Sequence, residues 1–208
     1  MDSNSSSKKR APVQPSRAAG RQRVSDILAA ASELMAERGY EATTMAEIAL
    51  RAGAKIGSLY RFFPNKEAVG DALLQQNIAV LNDEYSALAQ KASELSLEDL
   101  ADVLIDFLTV HYPRVKSLSA LMEARTDRLE IRSRSRQQAL NGIATALTIA
   151  APRLDNDTAK DIAAVTLNLM KVMRAMTTKD APTTAGAPAE LRRMNRLYLL
   201  DRLTPYQK

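Results

Sequence analysis

The chain has 208 residues, a formal net charge of +5, one histidine and no cysteine. That length allows one large or two small domains with a real core. The lack of cysteine excludes disulfides, thiol nucleophiles and cysteine-held metal sites, and fits a reducing cytoplasm. No run approaches the roughly 18 apolar residues of a membrane helix. The N-terminus has no apolar h-region, so neither a membrane partner nor a secretory signal is expected. The charge is unevenly placed. Residues 1–66 carry 11 Lys/Arg against 6 Asp/Glu, and the remainder is balanced at 18 of each. A basic segment on a neutral body suggests that one end meets a polyanion.

Few aromatics, abundant Ala, Leu, Arg and Glu, and strong 3.6-residue periodicity predict an all-α protein of about nine helices. Residues 1–20 are rich in Ser, Pro, Lys and Arg and lack large apolar side chains, so they are expected to be a disordered basic tail. Lys8-Lys9-Arg10 is equally compatible with phosphate contact and with simple solvation. The first helix is expected from Arg21 to Arg38, with Ile27, Ala31, Leu34 and Met35 on one stripe and Gly39 after its end. Thr44 with Glu47 forms a capping box, which starts a short second helix that ends near Gly53. A third helix is expected over Ile56–Phe63, with Leu59 and Phe63 inward, stopped by Pro64. Asn65 then caps a long helix to about Lys91. Its stripe is Leu74, Ile78, Leu81, Tyr85 and Leu88, and its length is roughly 40 Å at 1.5 Å per residue.

Ser96 and Asp99 cap the next helix, whose stripe is Leu100, Val103, Leu104, Phe107, Leu108 and His111. Further helices are expected over Pro113–Asp127, Arg128–Ala151, Asp157–Thr178 and Ala189–Leu203, with a loop at Asp180–Pro188. The expected domains are residues 1–20 as tail, 21–67 as a three-helix unit and 68–208 as a second helical unit.

Two short helices joined by Ala52-Gly53-Ala54-Lys55 have the layout of a helix-turn-helix. Gly57, Ser58 and Arg61 lie opposite the buried side of the second helix. The small residues permit close approach to a surface, and Lys55, Arg61 and Lys66 surround them with positive charge. Ile56 lies on the same side as Leu59 and Phe63, and burial and contact with a thymine methyl are both compatible with its position. The same holds for Tyr60, between packing at the domain edge and a phosphate contact.

The stretch Gly39-Tyr40-Glu41-Ala42-Thr43-Thr44-Met45-Ala46-Glu47-Ile48-Ala49, then Ala52-Gly53, Gly57-Ser58-Leu59-Tyr60-Arg61-Phe62-Phe63 and Asn65-Lys66-Glu67, resembles the N-terminal domain of the TetR family over about residues 21–74. The resemblance implies that Thr44 caps the second helix and contacts phosphate. It implies that Ile56 and Gly57 approach base edges, and that Ser58, Tyr60, Arg61 and Phe62 touch phosphate or flanking bases. Lys66 matches a phosphate-binding lysine. Lys55 stands where the family often has Ser. Phe62 stands where it usually has Tyr or His, so a polar contact is lost there and Arg61 or Lys55 is left to replace it.

The helix at Asp157–Thr178 and the last helix are each apolar on more than one stripe, which calls for cover on more than one side. The resemblance implies a homodimer built on these two helices. The residues implicated are Ile162, Val165, Leu169 and Met176 on the first, and Leu191, Met194 and Tyr198 on the second. A two-fold dimer reads a palindromic operator in double-stranded DNA. The resemblance also implies release by an unknown small-molecule effector. Candidate walls are Leu104, Phe107, His111, Met122, Met170 and Met173, each equally at home in an ordinary core. Arg125 follows them on the inward face, either as a counter-charge for an anionic effector or snorkelling outward. No cofactor or metal is expected.

An enzyme lacks its inventory here: no nucleophile–base pair, HExxH motif or phosphate-cradling loop is present. Arg132, Arg134 and Arg136 read as a solvated face, less readily as a second polyanion site. The expected function is therefore a ligand-responsive DNA-binding transcriptional regulator, in the resemblance's default a repressor. The alternative is an all-helical interaction or ligand-carrier protein that no longer reads DNA.

Overall fold

The computed structural model describes residues 18–112, 121, 128–178 and 183–207. Among them are eight α-helices and a closing 3-10 turn, and no strand. The helices are α1 Ala18–Arg38, α2 Met45–Arg51, α3 Ile56–Phe62, α4 Lys66–Lys91, α5 Leu97–Val110, α6 Arg128–Ala150, α7 Asn156–Thr177 and α8 Ala187–Leu203. The helix expected over Pro113–Asp127 lies, Leu121 apart, outside the described residues, as does nearly all of the expected tail.

The chain forms two compact units. One is Met1–Gln76 with Ser117–Arg125, the other Asn77–Lys116 with Thr126–Lys208. The border expected at 67/68 falls inside the first unit, because Val69 and Leu73 of α4 are buried in its core. In that core they meet Ile27, Leu34, Ile48 and Leu59, and Leu121 joins them. Leu74, expected in the second unit's stripe, belongs to the first.

The second unit is held by α5, α6, α7 and α8 around Leu100, Leu104, Ile143, Leu147, Ile162 and Met170, all essentially inaccessible to solvent. A smaller cluster joins Ile105, Met173 and Leu191. Val103, expected in the α5 stripe, is instead exposed; Ala101 and Ile105 take the buried positions around it. Where an exposed Lys or Glu is absent, periodicity alone cannot tell the two edges of an apolar stripe apart.

Local chemistry fixes the helix ends. Ser96 accepts from the Asp99 N–H at 3.0 Å, and Asn65 Oδ1 accepts from the Ala68 N–H at 2.8 Å. α7 starts at Asn156, one residue before the expected Asp157. Its cap is Asp155, which accepts from the backbone N–H groups of Asp157 and Thr158 at 3.1 and 2.9 Å. These bonds to the charged form lower the Asp155 pKa. α8 starts at Ala187 rather than Ala189, with Pro188 in its first turn, where a missing N–H costs nothing. No described helix is long and apolar enough to cross a membrane.

Candidate nucleic-acid interface and effector cleft

The helix-turn-helix is built from α2, its turn and α3. Thr44 has extended backbone at the head of α2 and accepts from the Glu47 N–H at 3.3 Å, while the Glu47 carboxylate accepts from the Thr44 N–H at 3.0 Å. The capping box is therefore complete. The Thr44 hydroxyl and N–H lower the Glu47 pKa, with help from Arg38, whose guanidinium lies 2.6 Å from the carboxylate. The turn reverses at Gly53, whose φ of +57° is a left-handed conformation that suits glycine. Arg23 of α1 donates to the Gly53 carbonyl at 3.2 Å, and the Ala54 N–H to that of Ala49 at 2.9 Å. Arg51 is bidentate on Glu37, at 2.8 and 3.0 Å, so α2 is clamped to α1 at its far end as well.

This scaffold leaves one face of α3 open. Leu59 is fully buried, while Ile56 is 44% and Tyr60 50% exposed. Gly57 and Arg61 are also exposed, and a Cβ on Gly57 would meet nothing within 4 Å. Ser58 is half-buried and Lys55 exposed. Ile56 thus belongs to the outer face.

Two assigned positions behave differently from expectation. Phe62 is only 3% exposed and sits in the core with Leu59 and Phe63, so it does not offer its ring to phosphate. The reason is local. α3 ends at Phe62, and Phe63 is extended at φ −131°, so it does not continue the helical wheel. Phe62, three residues after Leu59, takes the inward stripe, and Phe63 enters the core from the extended segment. Arg61 lies over the Phe62 ring at 4.7 Å from its centroid, which holds the guanidinium beside the open face. Lys66, expected at phosphate, donates from Nζ to the carbonyls of Tyr40 and Glu41 at 2.9 and 3.1 Å and lies 4.5 Å from the Tyr40 ring centroid. Two of its three N–H bonds therefore tie the start of α4 to the loop before α2.

In the second unit, the expected pocket residues are core residues. Leu104, Phe107 and Met170 belong to the main core, and Met173 to the smaller cluster. His111 caps the C-terminus of α5. Its ring lies 4.6 Å from that of Phe107, and its Nε2 is 4.0 Å from Glu84. Met122 and Arg125 lie outside the described residues. Among the described residues, a cleft of about 260 Å³ lies between α4 and α6. Asn82, Tyr85 and Ser86 line it from α4, and Gln138, Asn141 and Gly142 from α6. The Tyr85 ring stacks on Phe107 at 4.3 Å, and burial raises its phenol pKa, keeping it neutral. Sequence reasoning missed this cleft because its walls are uncharged polar residues. The signal was their helical spacing, with Gln138, Asn141 and Thr145 on α6 and Asn82 with Ser86 on α4.

The assigned partner-facing residues also divide. Ile162 and Leu191 are buried within the chain and are unavailable to a second copy. Val165 and Met194 are exposed, as are Val172 and Leu197, which had not been singled out for this face. Leu169, Met176 and Tyr198 are half-buried beside them.

Comparison with known proteins is consistent with this geometry. Residues 27–73 match the family model described as bacterial regulatory proteins, tetR family. Over 51 residues the chain is 43% identical to the HTH-type transcriptional regulator YvkB of Bacillus subtilis, a match that covers 24% of this chain and 27% of that protein. Over 80 residues it is 38% identical to the HTH-type transcriptional repressor KstR2 of Rhodococcus jostii, covering 38% and 39%. The matched stretches thus span well under half the length of either relative. The fold is similar to that of a crystallised TetR-family regulator from Mesorhizobium loti, with a TM-score of 0.68, 23% identity, and 92% of this chain and 100% of that chain covered. The N-terminal residues 27–73 are thus similar to the bacterial regulatory proteins of the tetR family, and the fold is similar to that of a TetR-family regulator.

Proposed function

We propose that this chain is a ligand-responsive transcriptional regulator that binds a palindromic site in double-stranded DNA as a homodimer. The observation that carries the reading is the two-sided character of α3. Leu59 and Phe62 anchor it from within, and Ile56, Gly57, Tyr60 and Arg61 form an unobstructed outer face. A helix so mounted fits the major groove, with Ile56 and Gly57 near base edges and Lys55, Ser58, Tyr60 and Arg61 toward the backbone. Thr44 stands at the head of α2, where an anion is favoured by the free N–H groups of a helix start.

Neither Lys55 nor Arg61 is engaged in an ion pair among the described residues, so both are available to phosphate. Arg51, Arg38 and Arg23 are held within the unit. Lys66 acts here by positioning, since it holds the loop that carries Thr44.

Homodimerisation is supported by the exposed stripe Val165 and Val172 on α7 with Met194 and Leu197 on α8. Four large apolar side chains on two adjacent helices suit a second copy of the same surface. α4 continues without a break from Lys66 to Lys91, which gives a covalent route from an effector in the second unit to the DNA-binding unit. The relatives' name as repressors suggests repression as the output.

The test is selection from randomised duplexes followed by titration at two salt concentrations. An inverted repeat should emerge, with half-sites about one helical turn apart or a multiple of it, and affinity should fall steeply with salt. Recovery of no preferred sequence, or binding indifferent to salt, rejects the reading.

A further inference from the structure

Three consecutive residues at the start of α3 go against what a helix start prefers. The N-cap is Lys55, whose side chain makes no capping bond and whose charge stands at the positive end of the helix dipole. α2, α5 and α7 follow Thr44, Ser96 and Asp155 instead, each capping through its side-chain oxygen. The first residue inside α3 is Ile56, β-branched and a poorer helix former than Ala, Leu or Lys. The second is Gly57, of the weakest helix-forming type after proline.

Nothing inside the protein accounts for these choices. Ile56 is nearly half exposed, and it joins neither the core of the first unit nor the partly buried residues packed around that core. Gly57 is exposed on helical backbone, and a Cβ there would have no neighbour within 4 Å. The positive φ that calls for glycine at Gly53 and the close Tyr85 contact that calls for it at Gly142 are both missing at Gly57. Alanine would fit the single chain and favour the helix. Where local preferences are broken with no internal compensation, the reason is sought in a functional partner.

A duplex groove supplies it. A missing side chain lets the backbone come close, and an exposed apolar side chain needs apolar surface to touch. Every base presents hydrogen-bonding groups on its major-groove edge, but of the four only thymine adds an apolar group, its 5-methyl. The Ile56 side chain has no donor or acceptor, so hydrogen bonding gives it no means to tell bases apart. Its branched Cβ restricts χ1, so little side-chain freedom is lost on contact.

We propose that Ile56 reads the 5-methyl group of a thymine in each half-site, with Gly57 giving the close approach that brings the two into contact. The inference rests on the regulator reading above and names a base that its DNA site must contain.

The experiment uses the full chain and the inverted repeat recovered by the duplex selection, titrated by fluorescence anisotropy at fixed salt concentration. Each thymine is replaced in turn by deoxyuridine, which removes the methyl and keeps the base pair. At one position in each half-site the affinity should fall about fourfold, and about fifteenfold when both half-sites are changed, as expected for one buried methyl per half-site. Ile56→Ala should bind the thymine and uracil duplexes alike, within about twofold, with a melting temperature near the parent's. Gly57→Ala should weaken binding to the repeat by about tenfold or more while its melting temperature holds or rises. A repeat with no thymine common to its half-sites overturns the proposal. So does parent affinity indifferent to every uracil replacement, or a uracil effect of the same size in Ile56→Ala, which would assign the methyl to another residue such as Tyr60. Undiminished binding by Gly57→Ala overturns the close approach. These outcomes leave the regulator reading standing, because they are measured on a repeat that the protein itself has selected. Failure of the selection to yield any repeat rejects both.

Discussion

Lys66 Nζ donates to the backbone carbonyl of Tyr40 at 2.9 Å, across 26 residues of sequence. The same ammonium reaches the Glu41 carbonyl at 3.1 Å, so one side chain closes the loop that presents Thr44 onto the first turn of α4. Lys66→Met should remove both charge-assisted bonds and destabilise the first unit by about 1–3 kcal/mol in urea unfolding. Affinity for DNA should fall as the loop loosens. The dependence on salt distinguishes positioning from direct contact. A lysine at phosphate contributes about one unit to the slope of log K against log salt, so a slope unchanged in Lys66→Met supports the positioning role, and a slope reduced by about one refutes it.

The exposed stripe on α7 and α8 yields a second test. Leu197 is 60% exposed and Met194 49%, yet both lie next to the buried Leu199 and Asn195. Leu197→Glu should leave helicity and thermal stability nearly unchanged, because the side chain meets solvent in the single chain. Sedimentation should show a dimer for the parent and a monomer for the variant, since a buried unpaired carboxylate in a self-complementary surface is strongly unfavourable. A Leu197→Glu variant that still sediments as the parent does places the interface elsewhere.

Much of the first unit is legible in the residues themselves. Thr44 with Glu47 and Asn65 before Ala68, like Ser96 before Asp99 in the second unit, are local arrangements in which a side-chain oxygen satisfies an N–H three residues on. Such signals survive without knowledge of the tertiary fold. Phe62 and Phe63 show where this stops. Both are equally apolar, and their directions depend on where α3 ends, which the wheel alone leaves open by a residue. Ile162 and Val165 show a different limit. On a helix apolar on two sides, the choice of inward stripe is made by neighbouring helices, and α5 and α8 claim Ile162. The cleft was hidden for a third reason. Its polar, uncharged walls carry no hydrophobic period, and the close approach that shapes it depends on a glycine whose meaning appears only once α4 is beside it.

The acid limb of stability should trace to Asp102. Arg196 is bidentate on its carboxylate, with Nε at 2.6 Å from Oδ1 and Nη2 on Oδ2, and Arg192 lies 3.6 Å away. The Arg196 hydrogen bonds, and then the charges of Arg196 and Arg192, lower the Asp102 pKa despite partial burial. A carboxyl whose folded pKa lies below its unfolded value stabilises the fold above the unfolded value, about 3.9, and loses that contribution as pH falls through the folded one. Asp102→Asn should therefore reduce stability by about 0.5–1 kcal/mol at pH 7, a partly exposed pair being screened by solvent. The difference should shrink below about pH 3.9 and close in stronger acid, where the parent carboxyl is protonated too. Urea midpoints measured from pH 7 down to pH 2 check this, and a constant gap over that range contradicts the assignment.

The approach of α4 to α6 depends on Gly142. A Cβ at that position would lie 2.6 Å from Tyr85 Cβ and 2.8 Å from its Cγ. Those atoms sit at the root of the side chain and cannot swing away, and the Tyr85 ring is itself stacked on Phe107. Gly142→Ala gains helix propensity, worth about 1 kcal/mol in an exposed helix. Against this, inserting a methyl into a closed contact costs about 1–3 kcal/mol and forces the helices apart. The clash should win, and the variant should unfold at lower urea than the parent. Tyr85→Ala alone should also destabilise by a cavity effect of about 3–5 kcal/mol, by analogy with other large aromatic truncations. The two together should cost less than their sum, because removing the ring relieves the contacts at Cγ and Cδ1, 2.8 and 3.2 Å away, and leaves only the one at Cβ. An additive double mutant would show that Gly142 and Tyr85 do not limit the distance between the two helices.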